Sequence, residues 1–164
     1  EASFILQKVD GNVVIDVVSI KAKEGDVIII PPGYGHITIN SGREVLVVSN
    51  LQSSLARADY NGIINLKGAA YFLTTNGMVK NSNYVNKEIR VIKADHLKKS
   101  FFGSAGQLYE IFLAMPEKFD FLNNPEGHPG CTCFRSKASA RDARLASGRP
   151  PVPRPRAAWD CRAR

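Results

Sequence analysis

The chain has 164 residues and a formal charge of +7, from 22 Lys and Arg against 15 Asp and Glu, and the excess sits at one end. Up to Gly130, 13 basic residues meet 13 acidic ones, whereas beyond it 9 basic residues face only Asp142 and Asp160. The basic isoelectric point therefore describes a tail. The rest shows no basic stripe and no aromatic–basic interleaving, which argues against a nucleic-acid partner. No apolar run comes near the length needed to span a bilayer, so no membrane partner is expected; no signal peptide is seen either, a point that a truncated start leaves open.

In chain order, Ala2 to Lys8 and Asn12 to Ile20 read as strands, and the Asp10-Gly11 pair between them is a strong hairpin signal. Asp26 to Ile30 reads as a short apolar strand, Pro31 to Gly35 as a tight turn, and His36 to Asn40 as a strand again. Glu44 to Ser49 follows as a further strand across the turn Ser41-Gly42-Arg43. Leu51 to Leu66 reads as irregular, Gly68 to Thr74 as a strand, Asn76-Gly77 as a turn, and Tyr84 to Lys93 as a strand. This is an all-β meander.

Two short helices are then predicted. Gln107 to Ala114 carries helical apolar spacing through Leu108, Ile111 and Phe112, and Pro116 opens a second helix through Phe119 and Leu122. Their aromatic rings are expected to pack on the sheet. From about Pro129 the vocabulary shifts to Arg, Ala and Pro, as in Arg149-Pro150-Pro151-Val152-Pro153-Arg154. Residues 128–164 are therefore read as a disordered tail, and the abruptness of the shift suggests a non-native segment. Cys131, Cys133 and Cys161 all lie there; they lack the paired spacing of a zinc knuckle, and their absence from the core fits a reducing cytoplasm.

His36 is the residue that draws attention, because a Pro/Gly turn delivers it straight into a β-branched strand, on one face with Thr38 and Asn40. A lone strand histidine is more often a structural or surface group than a ligand. A zinc or iron site takes about three or four protein ligands, and His96 and His128 stand at no spacing that suggests partners.

Gly25, Asp26, Pro31, Gly33, His36 and Asn40 fall in step with the second motif of the cupin superfamily, G-D-x-x-x-x-P-x-G-x-x-H-x-x-x-N. A narrower resemblance runs through Phe4-Ile5-Leu6-Gln7, Ile30 to Asn40, Asp59-Tyr60, Gly68 to Leu73, Leu108 to Leu113 and Pro116 to Pro125. Over roughly residues 1–127 the chain thus resembles the cupin-type glucose-6-phosphate isomerases of archaea and some bacteria. That implies a jelly-roll (double-stranded β-helix) fold, with residues 1–93 as the C-terminal part of the barrel and 94–127 as an extension with short helices. The family's first motif, G-x-H-x-H-x-x-x-x-E, is not found in this sequence. The chain opens inside a strand, so it is read as a fragment truncated at its N-terminus; a barrel missing strands leaves open edges and exposed apolar faces, from which poor autonomous stability, aggregation or completion by a partner chain is expected.

The resemblance further implies interconversion of glucose 6-phosphate and fructose 6-phosphate, an aldose–ketose isomerisation that moves hydrogen between C1 and C2. The family's cofactor is a divalent metal, iron first, with zinc or manganese as alternatives; it would polarise the sugar carbonyl as a Lewis acid. His36 matches a metal-ligand position. Tyr60 matches a tyrosine that faces the sugar, a catalytic and substrate-binding assignment with a buried structural tyrosine as its alternative. Tyr34 could line the pocket mouth, or stand exposed at a loop tip. Ala58 replaces a histidine of some members, and Gly33-Tyr34-Gly35 replaces their Tyr-Trp-Ala. The implied partners are a hexose phosphate and, at full length, a second copy in a homodimer, in the cytoplasm. With one ligand of the set, this chain is expected to be inactive. A non-catalytic sugar-binding or structural cupin, or another cupin isomerase such as one for mannose 6-phosphate, is the alternative.

Overall fold

The computed structural model describes residues 1–85, 87–94 and 107–125. The expectations about His96, His128, the three cysteines and the tail lie outside these residues. The described chain is mostly β with a few short helices. Its order is β1 (Ala2–Asp10), β2 (Val13–Ala22), β3 (Gly35–Asn40), α1 (Asn61–Asn65), β4 (Tyr71–Thr74), β5 (Gly77–Lys80), β6 (Arg90–Lys93), α2 (Leu108–Ala114) and a 3-10 helix, Pro116–Leu122.

β1 and β2 form the antiparallel hairpin that the Asp10-Gly11 signal predicts. Gly11 takes φ +56° at the first central position of a two-residue turn, a conformation that glycine adopts without steric cost and that matches the twist of a hairpin. The ladder slips after Lys8: Lys8 faces Asp16 while Val9 faces Val14. Ile15 is thus the extra residue of a β-bulge, and its carbonyl accepts a hydrogen bond from Lys87 Nζ at 2.9 Å.

The main sheet runs β3-β1-β2-β6. β3 is antiparallel to β1, and β6 is parallel to β2. Every residue from Ala2 to Gln7 is buried, so β1 is covered on both sides. One face gathers Ala2, Phe4, Leu6, Val18, Ile20, Ala22 and Ala94. The other gathers Ile5, Val14, Val17, Ala69, Ala70, Tyr71 and Tyr84. Each fully buried Leu or Ile contributes about 2 kcal/mol of transfer free energy, so the hairpin is the stabilising centre.

Four strand expectations are corrected. Asp26 to Ile30 joins no ladder among the described residues: Ile28 and Ile30 pack on the first cluster and Val27 on a third, but no neighbouring strand takes up its backbone groups. Glu44 to Ser49 likewise forms no strand, and leaves Val45 and Val47 90% and 88% exposed. β-branched alternation marks a chain suited to a sheet; it does not supply the strand alongside. The strand expected from Gly68 starts at Tyr71, because residues 68–70 are drawn into side-chain hydrogen bonds. Of Tyr84 to Lys93, the end alone pairs, with a single bridge from Val85 to Val13 before it. The segment read as irregular also holds α1.

β4 and β5 form a separate hairpin about the predicted Asn76-Gly77 turn. The helices follow the sequence closely. Gln107 caps α2 in a capping box with Glu110, and Pro116 opens the 3-10 helix. Ile111 and Phe119 are buried there with Val27 and Leu51 against them, and Phe112 meets Phe119 edge-on at 5.3 Å. Among the described residues, no helix is long and apolar enough to cross a membrane.

Candidate functional site

The register decides which side chains share a face. His36 lies opposite Leu6, Thr38 opposite Phe4 and Asn40 opposite Ala2, so all three stand on the face of the first cluster. Leu6 lies opposite Val18, and Val18 opposite Arg90. One row across the sheet therefore reads His36, Leu6, Val18, Arg90. Its middle is buried, whereas His36 is exposed on the edge strand. His36 is thus the exposed end of a row whose apolar middle is covered by Ile28, Ile30, Tyr34 and Leu46.

Beside this row is a polar group that sequence reasoning did not single out. Asp16, opposite Lys8 in the next row, accepts a hydrogen bond from the Tyr34 hydroxyl at 2.6 Å. Its two oxygens also accept from Arg90 Nη2 at 2.9 and 2.8 Å. The side chains of Arg90 and Asp16 are 36% and 30% exposed. Half-removed from water, the carboxylate holds both donors. Burial raises the Tyr34 hydroxyl from its usual value near 10 to about 12; the bond to Asp16 and its charge add to this, and Arg90 opposes it. A signal was present in the sequence: Asp16 is the one charge within Val13-Val14-Ile15-Asp16-Val17-Val18, and a charge in such a run needs a partner.

Tyr34 is thus half-buried, packs on the first cluster, and is not an exposed loop tip. Tyr60 is 64% exposed, which removes its alternative as a buried structural residue. It precedes α1, where its carbonyl accepts from Ile64 N at 2.9 Å and Asp59 Oδ1 accepts from Asn61 N at 2.9 Å. α1 approaches the sheet through Ile63, whose Cδ1 would be 3.9 Å from a Cβ built on Gly35. Gly35 faces Gln7, so this approach is on the face opposite His36. The structure brings Tyr34 and His36 to one face and sets the helix of Tyr60 against the other.

The metal expectation meets a plain limit. Among the described residues, no group of three or more His, Cys, Asp or Glu side chains could hold a metal ion. One imidazole is one donor, and a stable zinc or iron site takes about three or four. The described residues by themselves do not fit the cofactor.

Comparisons with curated proteins and with solved structures found no match. Residues 1–90 match the family model described as Glucose-6-phosphate isomerase (GPI). That span holds β1 to β5 and all five residues discussed, Asp16, Tyr34, His36, Tyr60 and Arg90. It covers more than half of the 164 residues, and the chain belongs to the glucose-6-phosphate isomerase family.

Proposed function

We propose that this chain carries the second-motif histidine of a cupin-type glucose-6-phosphate isomerase, with His36 as one ligand of a divalent metal, iron first. The observation that carries the reading is the placement of His36: within the matched span, exposed on an edge strand, at the end of the row whose middle is the buried pair Leu6 and Val18. The other ligands would be those of the family's G-x-H-x-H-x-x-x-x-E motif, which residues 1–164 do not contain. The substrate is a hexose phosphate, the barrel a jelly roll completed by the strands that bear that motif, and the assembly a cytoplasmic homodimer. Tyr34 belongs to the site through the face it shares with His36; Tyr60 is left outside it.

The test has two arms. The 164-residue chain alone is assayed on glucose 6-phosphate and fructose 6-phosphate with added iron(II), manganese(II) or zinc(II), and is expected to show no turnover. Joined to a segment bearing the first motif, it should turn over both sugars, lose activity to a chelator, and lose metal content and rate together on His36→Ala. Unchanged metal content in that variant removes His36 from the site. Turnover by the unaided chain defeats the single-ligand reading. Hexose-phosphate binding without turnover in the completed protein would point to the non-catalytic alternative, and preference for mannose 6-phosphate to the other isomerase.

A further inference from the structure

β3 is a six-residue edge strand laddered to β1, and among the described residues no strand pairs with its other side. It is fed by a turn in which Gly33 takes φ +74° and Tyr34 N donates to Pro31 O at 3.2 Å. Such a strand, held along one side and led in by glycines, is free to fray from its start. His36 is its second residue. Something has to hold the entry if the imidazole is to keep one direction.

The Tyr34 side chain supplies that hold. The last ladder pair is Gln7 with Gly35, so Tyr34 stands one step beyond it, level with Lys8 and on the His36 face. Lys8 in turn faces Asp16. To reach Asp16 the phenol must pass over β1, two strand spacings or about 10 Å from its own strand. It does so on top of the first cluster, which it touches, and its proton goes to Asp16 Oδ2. Arg90 on β6 then fixes both carboxylate oxygens. The chain of contacts crosses the whole sheet from the edge carrying His36 to the opposite edge.

We propose that Asp16 and Arg90 are positioning residues for His36, acting through the Tyr34 hydroxyl, which is thereby a strut and not a donor to the sugar. The inference rests on the reading of His36 as a functional group. Arg90 locks the carboxylate, the carboxylate locks the phenol, and the phenol holds the backbone two residues before the imidazole. A negative charge suits this post better than a neutral acceptor, because a hydrogen bond to an ionised acceptor is shorter and stronger.

The experiment reads the ring NMR signals of His36, assigned by their loss in His36→Gln, and the hydrogen exchange of amides 35–37, in the metal-free chain. Tyr34→Phe keeps the ring and its packing and removes one hydroxyl; it is expected to shift the His36 ring signals and to speed exchange at 35–37 by about tenfold, with the amides of Leu6 and Val18 unchanged. Asp16→Asn should do the same to a smaller extent, and Arg90→Lys, which keeps the charge, should lie nearest the parent. Unmoved His36 signals in Tyr34→Phe and Asp16→Asn would overturn the proposal. So would exchange that rises equally at Leu6 and Val18, since that is the mark of a general staple. No metal is added, so failure here is separate from failure of the metal-ligand reading, which the metal content of His36→Ala decides.

Discussion

Replacing Gln7 by Leu isolates what holds the face behind the site. Gln7 is 3% exposed. Its Oε1 accepts from Ala70 N at 2.7 Å and its Nε2 donates to the Tyr84 hydroxyl at 3.2 Å. Leucine has nearly the same volume, so no large cavity opens. Two losses remain. Ala70 is 0% exposed, and its N–H would be left buried without a partner at a cost of about 1–3 kcal/mol. The bond to Tyr84 is long and neutral, and the Tyr84 hydroxyl keeps its own acceptor, Gly68 O at 2.9 Å; this loss is about 0.5–1 kcal/mol. The added apolar burial offsets part of the sum, leaving a net destabilisation of about 2 kcal/mol. Urea unfolding followed by far-ultraviolet circular dichroism gives the total, and hydrogen exchange at Ala70 gives the local effect. A loss below about 0.5 kcal/mol, within the scatter of ordinary surface substitutions, with Ala70 protection unchanged, would show that Gln7 is not what seals residues 66–70 onto β1.

The raised Tyr34 hydroxyl has a pH consequence. Folding favours its neutral form, so the stability it confers is fully present below the unfolded value near 10 and is lost as pH rises through the folded value of about 12. Between these limits the parent should lose stability faster than Tyr34→Phe does; parallel alkaline unfolding curves would refute the assignment. At Gly68, φ is +124° and an added Cβ would lie 2.8 Å from Phe72 Cε1. The Phe72 residue is 41% exposed and its ring can swing aside, so the cost of Gly68→Ala is chiefly backbone strain, about 1–3 kcal/mol by thermal or urea unfolding. A neutral effect would mean that the loop takes another path.

The parts of the fold that the sequence discloses are those whose signals are local. The β1–β2 turn rests on a dipeptide, α2 on the helical spacing of Leu108, Ile111 and Phe112, the 3-10 helix on Pro116, and β3 on the Pro/Gly turn with alternation behind it; none needs a distant partner to be recognised. Asp26 to Ile30 and Glu44 to Ser49 fail for the opposite reason. Their β-branched patterns describe a surface ready for a sheet, and whether a strand lies alongside depends on residues far off in the chain. Val45 and Val47 show the result, with ladder-forming side chains turned to solvent. The parallel pairing of β6 with β2 joins residues some seventy positions apart, beyond what periodicity can encode. His36 is legible because its motif is contiguous, whereas Asp16 and Arg90 meet it only through the sheet.

The two faces of β1 explain why the site can be open without being loose. Behind the strand, Gln7, Tyr84 and Asn81 bind residues 66–70 almost entirely through backbone carbonyls and one amide: Asn81 Nδ2 donates to Leu66 O at 2.9 Å and Ala69 O at 3.0 Å, and Asn81 N donates to Ala70 O at 2.9 Å. A segment whose backbone groups are met this way is held in one conformation, although Lys67 within it is exposed. In front, Leu6 and Phe4 are buried while His36 and Thr38, directly opposite them, are exposed. Rigidity is thus supplied from the face opposite His36, and on the His36 face, where Ile28, Ile30 and Leu46 also cover the sheet, the Tyr34 hydroxyl ties the entry of β3 to Asp16. A functional side chain is best presented from an element fixed by its neighbours and not by its ligand; for the role proposed for His36, that fixing would come from the ladder to β1 and from the Tyr34–Asp16 bond.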